Sequence, residues 1–179
     1  MFERIVRAIR LDKSLYREVV DLPALTSEGA LIAVGVALIS SLGMLGAGPR
    51  ALFAYLAQVA NSLLFGWILW SLVAYFVGTQ FFKGRSSMEE MLRVLGYANV
   101  PRLLGVLGFI PCVGWLFSVT GWVLSVIAGV IAIREAMEFE TSDAVVTALV
   151  SYVLYIIASI TIGLVFAGLS LPFHLLTSL

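Results

Sequence analysis

Hydrophobic and charged positions alternate along this chain in long blocks rather than residue by residue. Four stretches carry no Asp, Glu, Lys or Arg, and they cover 29–49, 51–82, 103–133 and 144–179. About 20 helical residues cross the hydrocarbon core of a bilayer, which is about 30 Å thick, so each stretch is long enough to span it. The pattern predicts an all-α fold, a polytopic membrane helical bundle.

The third uncharged stretch decides the number of crossings, because it is too long for one span and too short for two. Upstream of it, Ser86-x-x-Glu89 fits a capping box, and Met91 and Leu95 follow at helical spacing. A helix that begins there adds a crossing. We therefore predict five transmembrane helices, at about 29–48, 54–79, 90–110, 113–133 and 144–171. A re-entrant third segment, with four crossings, is the alternative.

Residues 1–28 form a separate cytoplasmic amphipathic segment ahead of the five-helix domain at 29–179. At 100° per residue, the apolar residues from Phe2 to Val20 share one broad side, while Arg4, Arg7, Arg10 and Arg17 take the other. This arrangement predicts an N-terminal interfacial helix along the cytoplasmic leaflet, where basic residues meet anionic headgroups. The segments Thr26-Ser27-Glu28 and Thr141-Ser142-Asp143 predict the N-caps of the first and fifth helices.

Basic residues set the predicted orientation. With the N-terminus in the cytoplasm, only Arg50 falls outside, and nine basic residues fall inside: Arg4, Arg7, Arg10, Lys13, Arg17, Lys83, Arg85, Arg93 and Arg134. Five crossings then place the C-terminus outside. The expected location is a bacterial inner membrane.

Composition excludes several functional classes. Hydrophobic residues make up 61% of the chain and charged residues 12%, with zero net charge, so neither a soluble enzyme nor a nucleic-acid-binding protein is expected. One Cys and one His cannot supply an intramolecular disulfide, a thiolate-rich metal site or a His-cluster metal site. Catalytic and cofactor-binding motifs are absent from the sequence, so we expect a non-enzymatic protein with no cofactor and no bound metal.

Arg102 is the residue most indicative of function, because a charge at bilayer depth usually faces a partner or a water-filled cavity. Asn99 precedes it by three residues, and Gln58 and Asn61 lie at comparable depth in the second helix. These four residues are predicted to form a functional polar cluster. In the alternative, Arg102 extends to the outer interface or bonds carbonyls that Pro101 leaves free.

Small residues recur at four-residue spacing in the last two helices, as Gly121-Ser125-Gly129 and Ser159-Gly163-Ala167. Such stripes let helix backbones approach closely. They are compatible with packing within one chain and with packing between copies in a homo-oligomer.

The segment from Leu95 to Pro101 resembles the Gly-Tyr motif with a following proline of the Yip family, the Ypt/Rab-interacting membrane proteins. Gly96, Tyr97 and Pro101 carry the likeness, together with the five-span layout. Asp21-Leu22-Pro23 stands where eukaryotic members carry Asp-Leu-Tyr-Gly-Pro, but it lacks the Tyr and Gly, so Rab binding does not carry over. The short N-terminus is more similar to the prokaryotic branch.

The resemblance implies a membrane adaptor or organiser with the lipid bilayer and a cytoplasmic protein as partners. A second hypothesis from the residues is a small-solute or ion transporter or channel that uses the polar cluster around Arg102 to bind an anionic substrate.

Overall fold

The computed structural model describes residues 1–46, 48–110 and 112–177, with side chains described as far as 162 except at 109. The described chain is all-helical and contains no strand. Its helices are α1 (Phe2–Ile9), α2 (Lys13–Asp21), α3 (Thr26–Ser40), α4 (Ala51–Leu63), α5 (Trp70–Phe81), α6 (Met88–Ala98), α7 (Gly114–Met137) and α8 (Thr141–Thr177).

Shorter helical turns extend several of these helices. 3-10 turns at Pro23–Leu25 and Leu42–Gly46 flank α3, and a π-helical turn at Leu64–Leu69 joins α4 to α5. Among the described residues, four continuous helices are therefore long and apolar enough to cross a membrane: Pro23–Gly46, Ala51–Phe81, Gly114–Met137 and Thr141–Ile162. They coincide with the first, second, fourth and fifth predicted spans.

The third predicted span consists of two kinds of helix. α6 ends at Ala98, and a 3-10 helix at Val100–Phe109, here called the 3-10 segment, continues the chain. Pro101 has no N–H to donate to the preceding turn. At Asn99 the backbone N–H bonds the carbonyl of Gly96 at 3.3 Å, three residues earlier, and the side-chain amide donates to the carbonyl of Leu95 at 2.8 Å. The α-helical hydrogen-bond pattern therefore stops at this point.

The cap of α6 lies one residue later than predicted. The N-cap is Ser87, whose Oγ accepts from the Glu90 N–H at 3.1 Å, while the Glu90 carboxylate accepts from the Ser87 N–H at 2.9 Å. The predicted pair Ser86 and Glu89 is therefore wrong. Two adjacent Ser and two adjacent Glu satisfy the same motif, and the extended backbone at Ser87 selects the register.

The two other predicted caps also differ. α3 begins at Thr26 itself, with Leu25 as an N-cap that makes no side-chain bond, and the Thr26 hydroxyl donates to the carbonyl of Pro23 at 2.8 Å. α8 begins at Thr141, so Thr141, Ser142 and Asp143 form its first turn rather than a cap before Ala144.

The third segment runs antiparallel to α7 over nearly the whole length of α7. At one end Gly84 lies against Met137, in the middle the Ser125 hydroxyl donates to the carbonyl of Ala98 at 2.8 Å, and at the far end Gly108 touches Gly114. The chain between Gly84 and Gly108 therefore covers the same height as α7.

The N-terminal segment forms a hairpin of two helices rather than the predicted single helix. Leu11 adopts a left-handed conformation (φ 57°), and the N–H of Asp12 bonds the carbonyl of Arg7, which ends α1. Asp12 then caps α2 through the N–H of Ser14. The apolar side of the hairpin packs on the bundle, where Ala8, Leu15, Tyr16 and Val19 are fully buried.

Candidate functional site

An open polar cavity of about 250 Å³ lies between α4, the 3-10 segment, α7 and α8. Arg102 points into it, and two of the other residues predicted from sequence, Gln58 and Asn61, line it from α4. Further polar wall residues are Ser40, Ser62, Ser118 and Tyr155. We call this space the Arg102 cavity.

Asn99, the fourth predicted residue, forms a hydrogen bond with the Arg102 guanidinium. Arg102 Nη1 donates to Asn99 Oδ1 at 3.1 Å, and Asn99 is itself buried and fixed by its bond to Leu95. Residues three apart are eclipsed in a 3-10 helix, which places Arg102 directly above Asn99. The structure thus brings all four predicted residues to one place, and the guanidinium bonds a side-chain amide rather than a carbonyl freed by Pro101.

Arg102 carries its charge without a carboxylate partner among the residues that the structure describes. The bare backbone of Gly66 lies beside it, since a Cβ on Gly66 would come within 3.2 Å of Arg102 Nη1. Gly66 belongs to the π-helical turn, a local geometry often found at functional sites. A positive group that has lost part of its hydration and faces polar walls attracts an anion.

Sequence reasoning missed several wall residues. Ser62 follows Asn61 and lies one turn after Gln58, so the polar face of α4 carried a signal for it. Ser40, Trp122 and Tyr155 come from other helices, and only the packing of those helices reveals them. The rings of Trp122 and Tyr152 contact each other at an inclined angle of 58° near the same wall, with centroids 6.2 Å apart.

A network of ion pairs at the opposite, N-terminal end of the bundle joins α1 to α2 and α3. Arg4 contacts Glu18 and Glu28, each at 2.9 Å, and Arg7 contacts Glu18 at 2.6 Å and Asp12 at 2.9 Å. The bond from Arg7 lowers the pKa of Asp12 to about 2, and the bonds from Arg7 and Arg4 lower the pKa of Glu18. Bonds from Glu18 and Asp12 in turn raise the pKa of Arg4 and Arg7.

Arg93 is the second charged residue with an unusual environment, since only 2% of its surface is exposed. It donates to the hydroxyl of Thr26 at 2.9 Å and to the carbonyl of Val20 at 2.8 Å. Arg93 therefore ties α6 to the end of α2 and the start of α3. The sequence placed it only as one of the cytoplasmic basic residues, and its periodicity gave no sign of burial.

The Gly-Tyr-Pro motif residues lie inside the helix packing rather than at the cavity wall. Gly96 lies against the backbone of Gly29 in α3, and Tyr97 is fully buried. Pro101 is also buried, and its carbonyl faces Gly121 of α7. In the first small-residue stripe, Gly121, Ser125 and Gly129 all pack within the chain. In the second stripe, the packing of positions 163 and 167 lies outside what the structure describes.

Comparison with known proteins gives one match. The sequence model of the Yip1 domain matches residues 14–168, which extends from α2 into α8. No curated protein and no solved structure matches the chain.

Proposed function

Because the chain belongs to the Yip1 domain family, we propose that this integral membrane protein is a non-enzymatic membrane adaptor or organiser, of the prokaryotic branch, in a bacterial inner membrane. Its bundle anchors the N-terminal hairpin, and the hairpin presents a fixed basic surface to a cytoplasmic protein and to lipid headgroups.

The observation that carries this proposal is the attachment of the hairpin to the bundle. Leu15, Tyr16 and Val19 are buried in the core, and Arg4 reaches Glu28 of α3. The hairpin is therefore held rigidly, and a preorganised surface binds a partner at a smaller entropic cost than a mobile tail does.

The outer side of the hairpin supplies the groups for such a surface. Arg10 and Lys13 are exposed there, and Arg17 is exposed but pairs with Glu135 at 3.4 Å. Arg4 and Arg7 are occupied by carboxylates. Phe2 is 80% exposed. Exposed basic and aromatic groups on one element suit an interfacial position against anionic headgroups.

Five crossings, with the N-terminus inside and the C-terminus outside, fit the course of the third segment. Its length is about 36 Å, from about 1.5 Å per residue in α6 and about 2.0 Å in the 3-10 segment. This exceeds the bilayer core of about 30 Å. The segment also accompanies α7, one of the four long apolar helices, from Met137 to Gly114.

A charge-reversal experiment tests the adaptor role without removing core residues. The variant Arg10→Glu/Lys13→Glu changes two exposed side chains of the hairpin, and Lys83→Glu/Arg85→Glu is the charge-matched control in the loop before α6. Proteins cross-linked to each variant in membranes are compared with those of the wild type. Loss of specific cross-linked partners in the hairpin variant alone would support the adaptor role. The same set of partners in the wild type and in both variants would contradict it.

The Arg102 cavity favours a second candidate, transport of a small anionic solute. Its support is the position of Arg102 with Gln58 and Asn61 around one space of about 250 Å³. Anion flux into proteoliposomes decides this candidate. Equal background leak with wild type and with Arg102→Ala would exclude it.

A further inference from the structure

A second, apolar space adjoins the Arg102 cavity. It lies between α3 and the 3-10 segment and measures about 540 Å³ where Ile39, Leu42 and Val106 line it. It continues along the same two elements past Val100 and Leu103 towards Ile5 of α1. We call this space the α3 groove.

The two spaces share wall residues. Ser40 and Gly105 line both the Arg102 cavity and the α3 groove. A Cβ on Gly105 would meet no atom within 4 Å, so the passage between the spaces is open at this residue. The α3 groove and the Arg102 cavity therefore form one site with a polar end and an apolar end.

The 3-10 geometry explains why one segment serves both ends. With three residues per turn, side chains three apart lie on one face. Arg102 and Gly105 fall on the face towards the cavity, and Val100, Leu103 and Val106 fall on the face towards the groove. Glycine at 105 removes the side chain that would separate them.

We propose that this site binds one phospholipid with an anionic headgroup, whose phosphate bonds Arg102 and whose acyl chain lies in the α3 groove. The planar guanidinium of arginine presents N–H donors that match the oxygens of a phosphate. Nη1 of Arg102 bonds Asn99, and no carboxylate among the described residues neutralises the charge of Arg102. The hydroxyl and amide groups of Ser40, Gln58 and Asn61 can bond the remaining headgroup oxygens.

Depth in the bundle supports a lipid. The carbonyl of Pro101 faces Gly121, seven residues along α7 from its end at Gly114, which is about 10 Å. A headgroup drawn slightly inward from that surface reaches the Arg102 cavity. From Gly105 the groove extends both ways, towards Gly108 and Leu42 near that surface and deeper towards Val100 and Ile32, the direction an acyl chain takes from that leaflet.

A small anion would use only half of this site. It would leave the α3 groove, the larger of the two spaces, without an occupant, whereas an amphiphile fills both ends. Lipid binding here is distinct from the adaptor role, because Arg102 and Gly105 lie outside the hairpin, although Ile5 and Ile9 of α1 line the far end of the α3 groove.

Native mass spectrometry of the full chain in neutral detergent tests the proposal with three probes. Phosphatidylglycerol offers phosphate and chains, diacylglycerol offers chains alone, and glycerol 3-phosphate offers phosphate alone. We expect one phosphatidylglycerol per chain, bound at least about tenfold more tightly than either other probe, because each lacks one half of the recognised chemistry.

Two variants locate the binding. Arg102→Gln removes the charge, and Gly105→Leu fills the open passage while keeping Arg102; each should weaken phosphatidylglycerol binding at least about tenfold. Arg50→Gln, an exposed arginine before α4, should leave it unchanged. If Arg102→Gln does not fold, Gly105→Leu alone decides.

Three results would overturn the proposal. Wild-type affinity in Gly105→Leu or in a folded Arg102→Gln would place the lipid elsewhere. Glycerol 3-phosphate binding as tightly as phosphatidylglycerol would identify a site for free phosphate. Diacylglycerol binding as tightly would identify apolar contact without headgroup recognition.

Discussion

Gly96 of α6 lies so close to Gly29 of α3 that a Cβ on Gly96 would stand 2.6 Å from the Gly29 carbonyl oxygen. Real Cβ atoms do not approach backbone oxygen so closely, and the atom in the way belongs to a helix backbone that cannot rotate aside. The glycine of the Gly-Tyr motif thus sets the distance between two helices.

Gly96→Ala is therefore expected to force α6 away from α3. The cost of such overpacking is about 1–3 kcal/mol, and thermal unfolding in detergent should occur at a lower temperature than for the wild type. Gly35→Ala on α3 is the matched control, because its added Cβ meets nothing within 4 Å. Equal melting temperatures for Gly96→Ala and Gly35→Ala would show that the helices separate freely.

Arg93→Leu should destabilise the junction of α2, α3 and α6. The substitution removes hydrogen bonds from a charged donor to Thr26 and Val20, worth about 1.5–3 kcal/mol each. We expect a lower unfolding temperature and faster protease cleavage near residue 22. Arg85→Leu, at an exposed position of the loop, serves as the control and should match the wild type in both measurements.

Acid should loosen α1 from α2 within the hairpin. The folded state holds the pKa of Asp12 at about 2 and lowers that of Glu18, whereas unfolded carboxyls titrate near about 4. The unfolded hairpin therefore binds more protons, and the stabilisation present above about pH 4 is lost as pH falls towards 2. Because the intrinsic rate of amide exchange itself falls with pH, the measurement is the protection factor, and the protection factors of the α1 amides should fall over that window.

The charge-neutral variant Glu18→Gln supplies the comparison for that titration. It removes a partner of both Arg4 and Arg7, so its α1 amides should exchange faster already at pH 6 and change less on acidification. Asp21→Asn, an exposed residue at the end of α2, should behave as the wild type. Constant protection factors of the α1 amides from pH 6 to pH 2 in the wild type would contradict the role of these ion pairs.

Cys112 offers a direct test of the number of crossings. It is exposed, is the single cysteine of the chain, and lies between the 3-10 segment and α7. If the third segment crosses, a membrane-impermeant maleimide added to intact cells labels Cys112. If the segment is re-entrant, labelling requires permeabilised cells. Cys112→Ser, with no thiol, gives the background.

Much of the fold follows from solvation. A charge is costly in lipid, so the uncharged stretches give the four long helices directly, and Arg102, Asn99, Gln58 and Asn61 can be grouped by depth. Whether that group serves a function stays a prediction. Ser40 and Tyr155 could not be added from sequence, because they reach the cavity only through the packing of distant helices.

The place where a helix breaks and the burial of a single charged residue were harder to predict from the sequence. The break at Leu11 puts a residue without glycine's freedom into a left-handed conformation, which tertiary packing of the hairpin imposes. The burial of Arg93 depends on a carbonyl and a hydroxyl from other helices, and helical periodicity does not encode such partners.

The pitch of the 3-10 segment has a mechanical consequence. The same ten residues wound as an α-helix would be about 5 Å shorter, and the step from Asn99 to Arg102 would turn through about 60° less, since 3-10 and α-helices advance by different angles per residue. Arg102 would then no longer lie directly above Asn99, and its side chain would turn away from its present direction into the Arg102 cavity. The 3-10 winding of this short stretch therefore determines both the length that the chain spans and the direction of the Arg102 side chain.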